Sequence, residues 1–212
     1  MLLFSELAFF SCMKTIKMLI LQEILFTIMS VLKNLFLITV SPKLGWDDIN
    51  KSGHTIRTVL SGGFYPMLLV LALASFAPMF YDHVEWNVSR CIIHSIAEIA
   101  SYFASFYIVD FVLGGMFKEL SKSNSATIRT ENFIAYNLMY LMFIEVLNNL
   151  MGYLFTPLLF LFLYVAVIAK NGADYLGITD EKRLTKFWPV ASALMIAVPY
   201  VIKTLFELIV NF

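Results

Sequence analysis

The sequence predicts an all-α fold, a polytopic integral membrane bundle of five spans preceded by an interfacial amphipathic helix. Three observations carry that prediction. Of the 212 residues, 60% are hydrophobic and 16% aromatic, with a mean hydropathy of +0.80, more apolar than a water-soluble domain of this size needs for its core. Five apolar stretches, Gly63–Phe80, Cys91–Phe117, Phe133–Met151, Tyr153–Ala169 and Phe187–Val210, approach or reach the roughly 20 residues that cross a hydrocarbon layer about 30 Å thick. Ten of the eleven Lys and Arg between Ser41 and Lys186 lie on alternate connections between these stretches.

Lys43, Lys51 and Arg57 precede the first stretch. Lys118, Lys122 and Arg129 lie between the second and third, and Lys170, Lys182, Arg183 and Lys186 between the fourth and fifth; the other two connections carry only Arg90. Cationic loops resist translocation, so the alternation predicts a multi-pass protein of the cell (inner) membrane with a cytoplasmic N-terminus and an outside C-terminus. Two regions follow: residues 1–62, N-terminal interfacial and cytoplasmic helices, and residues 63–212, the five-span domain. The net charge of zero suggests no nucleic acid or other polyanionic partner. The expected surroundings are the lipid bilayer, with membrane-protein partners or further copies of the chain.

Residues 1–28 comprise an apolar dozen ending at Cys12, a basic break at Lys14 and Lys17, and the start of an apolar run over Met18–Val40. Neither a cationic start nor a small-residue cleavage site marks a signal peptide. Met29 is an alternative initiator, which would make residues 1–28 an upstream extension that the fold does not need. As a helix, Met18–Val40 puts Glu23, Thr27, Ser30 and Asn34 on one line flanked by Gln22 and Lys33. A narrow polar stripe suits a helix lying in the headgroup plane; a sixth, poor span is the alternative.

Ser41-Pro42 breaks this helix, because a residue before proline disfavours the α conformation. Trp46-Asp47-Asp48-Ile49 then starts a short helix with its two carboxylates at the N-terminal, anion-favouring end and Trp46 as an interface anchor. Gly62-Gly63 ends that region, and Pro66 opens the first span. Phe133–Ala169 carries no charged residue between its two stretches, and a straight helix of that length would measure about 55 Å. The chain must therefore turn near Asn148-Asn149-Leu150-Met151-Gly152, either as a full hairpin or as a re-entrant segment, with the asparagines in a turn-and-cap role.

Ionisable groups inside spans are the candidate functional residues, since a charge at the bilayer centre costs about 3 kcal/mol or more. They are Glu98 and Asp110 in the second stretch, Glu145 in the third, and Lys203 and Glu207 in the fifth. With a rise of about 1.5 Å per residue, Glu98 and Glu145 each fall about 10 Å below the outer edge, and Lys203 close to that level. His94 shares a face with Glu98, and Asn148 and Asn149 share one with Glu145. Two readings stay open: an outward-facing polar cavity in which Lys203 neutralises Glu98 or Glu145, or a protonated Glu145 bonded to a neighbouring helix while Lys203 and Glu207 snorkel to the surface. Asp110 stands alone as an isolated acid suited to a helix-helix hydrogen bond. Small residues at every fourth position (Ala97, Ser101 and Ser105; Ala193 and Ala197) suggest close packing of the second and fifth stretches.

Cys12 and Cys91 have no partner spacing for a metal or a disulfide framework, and His54 and His83 read as solvated loop residues. No catalytic residues, metal site or cofactor are indicated: phosphate-loop, H-E-x-x-H, C-x-x-C and G-x-S-x-G signatures are absent.

The stretch Leu35–Ile49, which ends in S-P-K-L-G-W-D-D-I and is followed by a short polar helix and five apolar stretches, resembles bacterial members of the YIP family (Ypt/Rab-GTPase-interacting membrane proteins). Pro42, Trp46, Ile49 and Pro66 carry the resemblance, which covers roughly Ser30 to Phe212. It implies a five-helix membrane protein with its N-terminus inside. The D-L-Y-G-P element and the long cytoplasmic arm of the eukaryotic, GTPase-linked relatives are missing. The functions expected are therefore a non-enzymatic protein that organises membrane or partner proteins, or a small transporter or channel subunit working through the outer-half polar groups. An odd number of spans cannot divide into the paired halves usual in carriers.

Overall fold

Local chemistry sets most of the helix boundaries in the computed structural model, which describes residues 18, 22–23, 25–82, 86–152 and 158–210. All regular structure among them is helical: α1 (Leu25–Val40), α2 (Pro42–Ser52), α3 (Ile56–Tyr81), α4 (Val88–Met116), α5 (Asn124–Met151), α6 (Phe160–Gly172) and α7 (Glu181–Val210). Pro42 occupies the first turn of α2, where its missing N–H costs nothing. Asn87 and Ser123 cap α4 and α5 by accepting from Arg90 N at 2.8 Å and Ala126 N at 3.2 Å. Gly53 and Gly152, at φ 59° and 60°, close α2 and α5, a conformation that glycine adopts without strain.

Four helices, α3, α4, α5 and α7, are long and apolar enough to cross a membrane. The fourth apolar stretch behaves differently. Tight turns at Tyr164, with Tyr164 N bonding Leu161 O at 3.0 Å and Val167 N bonding Tyr164 O at 2.9 Å, divide the described part into short pieces. Phe160–Gly172 covers only about 20 Å.

The helices share one core centred on α5, where every residue from Phe133 to Met142 is buried. Contacts fix their directions. Phe133 of α5 and Phe187 of α7 meet at one end with ring centroids 5.7 Å apart, and Glu145 and Lys203 of the same helices meet at the other. The two therefore run parallel. The chain between them returns along α6, where Leu161 O accepts from Tyr140 Oη at 2.8 Å and Gly172 abuts Phe133 and Trp46. Helix α4 runs antiparallel, its Glu98 beside Lys203 and its C-cap Phe117 beside Phe187.

Several expectations need correction. Helix α2 starts at Pro42, so Asp47 and Asp48 lie within it, away from its first turn; Asp48 instead pairs with Lys33 of α1 at 3.1 Å. Trp46 is no surface anchor. It is 2% exposed, stacks on Phe133 and Tyr175 at 5.4 and 5.3 Å, and donates through Nε1 to Ile168 O at 3.0 Å. The polar line of α1 turns partly into the protein: Asn34 is buried and donates to Tyr136 Oη at 3.4 Å, and Ser30 Oγ lies 3.4 Å from His54 Nε2. His54 is accordingly half-buried and not fully solvated.

Gly62 and Gly63 do not end a segment but lie in a π-helical turn, Leu60–Phe64, within α3. A Cβ on Gly63 would overlap Val31 Cγ1, so glycine there lets α1 dock. Pro66 follows, and its missing N–H fits a widened turn that has left the i−4 ladder. In α4 the small residues Ala97, Ser101 and Ser105 are buried as expected, whereas Ala193 and Ala197 are exposed. Helix α7 turns Ala191, Ser192, Met195 and Pro199 inward.

Candidate functional site

At the end of the bundle opposite Trp46, α3, α4, α5 and α7 bring charged groups together inside an apolar frame. Glu98 lies on the buried face of α4 and is fully buried. Ser75, at the bend before Pro78 in α3, donates its hydroxyl to Glu98 Oε2. Asn149, in the last turn of α5, donates through Nδ2 to Glu98 Oε1 and Oε2 at 3.1 and 3.3 Å. Lys203 of α7 reaches Glu98 Oε1 at 3.2 Å and Glu145 Oε1 at 2.8 Å. His94, one turn before Glu98, places Nε2 3.2 Å from Glu98 Oε1 and Nδ1 3.5 Å from Glu207 Oε1.

Ser75, Asn149 and Lys203 approach Glu98 as donors, which matches the acceptor-only chemistry of a carboxylate. Burying these charges is expensive, and only close pairing with further hydrogen bonds offsets the desolvation. Two groups orient the frame: Tyr81 Oη donates to Asn149 O at 2.8 Å, and the Trp86 ring stands edge-on to His94 with centroids 5.1 Å apart.

The cluster separates two cavities. One of about 540 Å³ opens between α4, α5, α6 and α7 and is lined by Tyr102, Phe162, Pro199 and Tyr200 among others. The second, about 190 Å³, lies toward the helix ends beneath Tyr81, Trp86 and Gly152. Glu145, Asn148 and Lys203 border both. The larger falls within the range of small-molecule sites, roughly 300–1,000 Å³.

The expected cluster of His94, Glu98, Glu145, Asn148 and Lys203 is thus assembled, with Asn148 lining the cavities and Asn149 making the contact to Glu98. That contact corrects the turn-and-cap reading of the pair, because both asparagines are helical and Gly152 makes the stop. Lys203 turns inward and does not snorkel free of its partners. Ser75, Tyr81 and Trp86 were not singled out in the sequence; the usable signal was Ser75 in S-F-A-P, a polar group at a proline bend. Asp110 is partly buried on α4, about 18 Å along the helix from Glu98. Pro42, Trp46, Ile49 and Pro66 lie elsewhere: Trp46 and Ile49 are core residues of α2, Pro42 starts that helix, and Pro66 is within α3. Cys91 is buried and free; Cys12 and His83 lie outside the described residues, as do residues 1–17. Among the described residues no group of three or more His, Cys, Asp or Glu is arranged to hold a metal.

No family model matches the chain, and comparisons with curated proteins and with solved structures likewise gave no match.

Proposed function

We propose that this chain is a non-enzymatic multi-pass membrane protein that holds a small molecule at the Lys203 cluster, as a transporter subunit or receptor would. The observation that carries the reading is Lys203 bridging Glu98 and Glu145 at the wall of a cavity of about 540 Å³. A bundle needing only stability would do as well with apolar packing there, since buried ion pairs add little net stability. The experiment is a thermal-stability screen of the detergent-purified protein against small cationic, anionic and neutral amphiphiles. The reading expects one chemical class to raise Tm, since ligands stabilise the state they bind, and expects Tyr102→Ala to abolish the shift. If no class raises Tm, the ligand-site reading falls.

The topology proposed with it is five spans, N-terminus cytoplasmic and C-terminus outside, in the inner membrane. Support comes from the alternation of basic connections and from the parallel course of α5 and α7 with α6 running back between them. Reporter fusions after Phe212 and within Ser121–Thr130 test it; a cytoplasmic C-terminus would reject it.

A second reading, a YIP-like protein that organises membrane or partner proteins, draws on the outward face of α7. That face exposes Val201, Leu205, Leu208 and Ile209, and little of the helix's apolar surface is buried within the chain. Lipid, a partner or a second copy would cover it.

A further inference from the structure

We infer that the larger cavity takes an organic cation, an ammonium or phosphonium with an apolar body. The assignment rests on the ligand-site reading above and names the chemistry that the site selects.

The argument begins with charge. Glu98, Glu145 and Glu207 contribute three carboxylates, while Lys203 is the one permanent cation among the residues described in the cluster. His94 lies between Glu98 and Glu207 and donates to both only when doubly protonated, because a neutral imidazole has a single N–H. Even with His94 charged, the cluster keeps an excess of one negative charge. Lys203 already gives two of its three N–H groups to Glu98 and Glu145, so an anion could reach only the third and would then stand among three carboxylates in a site of low dielectric. A cation meets no such cost. Lys203 engages Glu145 through Oε1, and a carboxylate has acceptor sites on both oxygens. Glu207 stands on the same cavity wall.

The apolar lining then sets the size and character of the ligand. Tyr102, Phe162 and Tyr200 face this cavity together with Leu141, Met195 and Ile196. Aromatic faces attract cations through the ring quadrupole, and the aliphatic wall excludes water from an apolar body. A bare inorganic ion would leave most of the volume of about 540 Å³ unfilled. A bulky organic cation satisfies the carboxylates and the apolar wall together.

The test uses the full chain in lipid nanodiscs and two ions of matched shape and opposite charge, tetraphenylphosphonium and tetraphenylborate. Equilibrium binding is measured against empty nanodiscs to subtract partition into lipid. Saturable phosphonium binding is expected, at least about ten-fold tighter than borate, which corresponds to about 1.4 kcal/mol. Glu207→Gln, at a half-exposed position, and Glu145→Gln should each weaken phosphonium binding several-fold; the first keeps the test open if the second fails to fold. Borate binding as tightly as phosphonium would overturn the charge assignment while leaving the ligand site standing. Phosphonium binding unchanged in both variants would overturn the inference. So would binding of neither ion, with the amphiphile screen then deciding whether a site of another specificity exists.

Discussion

The two ends of this bundle are closed by opposite means. At the Trp46 end, rings from α2 and α5 stack with Tyr175, and Trp46 Nε1 finds a backbone carbonyl; the adjoining cavity is only about 90 Å³. At the Glu98 end, three carboxylates, a lysine and a histidine hold four helices through hydrogen bonds, beside cavities of about 540 and 190 Å³. Aromatic packing stabilises by area and by ring geometry worth about 0.5–1.5 kcal/mol per pair beyond burial. Buried ion pairs contribute little net stability, yet they are costly to break from one side. One end therefore reads as structure and the other as a site. The same helices carry both, so a change at either end tests a different kind of interaction on a common frame.

The largest effect is expected at the aromatic end. Trp46→Ala removes two stacked rings and a hydrogen bond from a position 2% exposed and should cost about 3–5 kcal/mol. Unfolding monitored in detergent should show it; a loss below about 1 kcal/mol would mean that the stack is incidental. Lys203→Met comes next, because the Lys203 side chain is 21% exposed and solvent screens part of the loss. The substitution leaves Glu98 and Glu145 facing one another without their shared cation, at a cost of roughly 3–5 kcal/mol if that site stays dry. A nearly silent Lys203→Met would sharpen the comparison the other way, by showing that water already screens the charged end. Gly172→Ala is a smaller probe of the aromatic end. Its Cβ would lie 2.6 Å from Phe133 Cε2 and 2.8 Å from Trp46 Cε2, so overpacking of about 1–3 kcal/mol is expected. Unchanged stability would show that these rings can yield.

The smallest effect concerns pH. His54 sits between α2 and α3, where burial pushes its imidazole below the ordinary value of 6.5, partly opposed by Asp48. The unfolded chain therefore takes up the proton first as pH falls through about 6.5. Stability is full above that value and declines below it. Urea titrations of wild type and His54→Gln across pH 5–8 should show the wild-type decline flattened in the variant. Parallel pH curves would assign the decline to other groups.

How much of this was legible in the sequence follows from which quantities the chain fixes locally. Helix rise is constant, so equal depths for Glu98, Glu145 and Lys203 could be computed without knowing which helices touch. Rotation about each helix axis is not local. Neighbouring residues differ by about 100°, and that angle decides whether Asn148 or Asn149 meets Glu98. For α7, Ala193 and Ala197 look as suitable for close packing as Ala191 and Ser192, and only the docked neighbours select the second face. The turn at Tyr164 was invisible because hydropathy registers composition, and every residue around it is apolar. Trp46 misled for a related reason: an aromatic beside two aspartates has the composition of an interface anchor, and its burial depends on Phe133 and Tyr175, far away in sequence.

The central claim is that Lys203 and the carboxylates form one buried, coupled unit. A double-mutant cycle measures this directly, using thermal unfolding of Lys203→Met, Glu145→Gln and the combined variant in the same detergent. With Lys203 Nζ 2.8 Å from Glu145 Oε1, the predicted result is a coupling of about 1 kcal/mol or more, with the double variant more stable than the sum of the single losses implies. Additive losses within about 0.3–0.5 kcal/mol would contradict the account, because two groups that ignore each other cannot be the shared wall of a charged site.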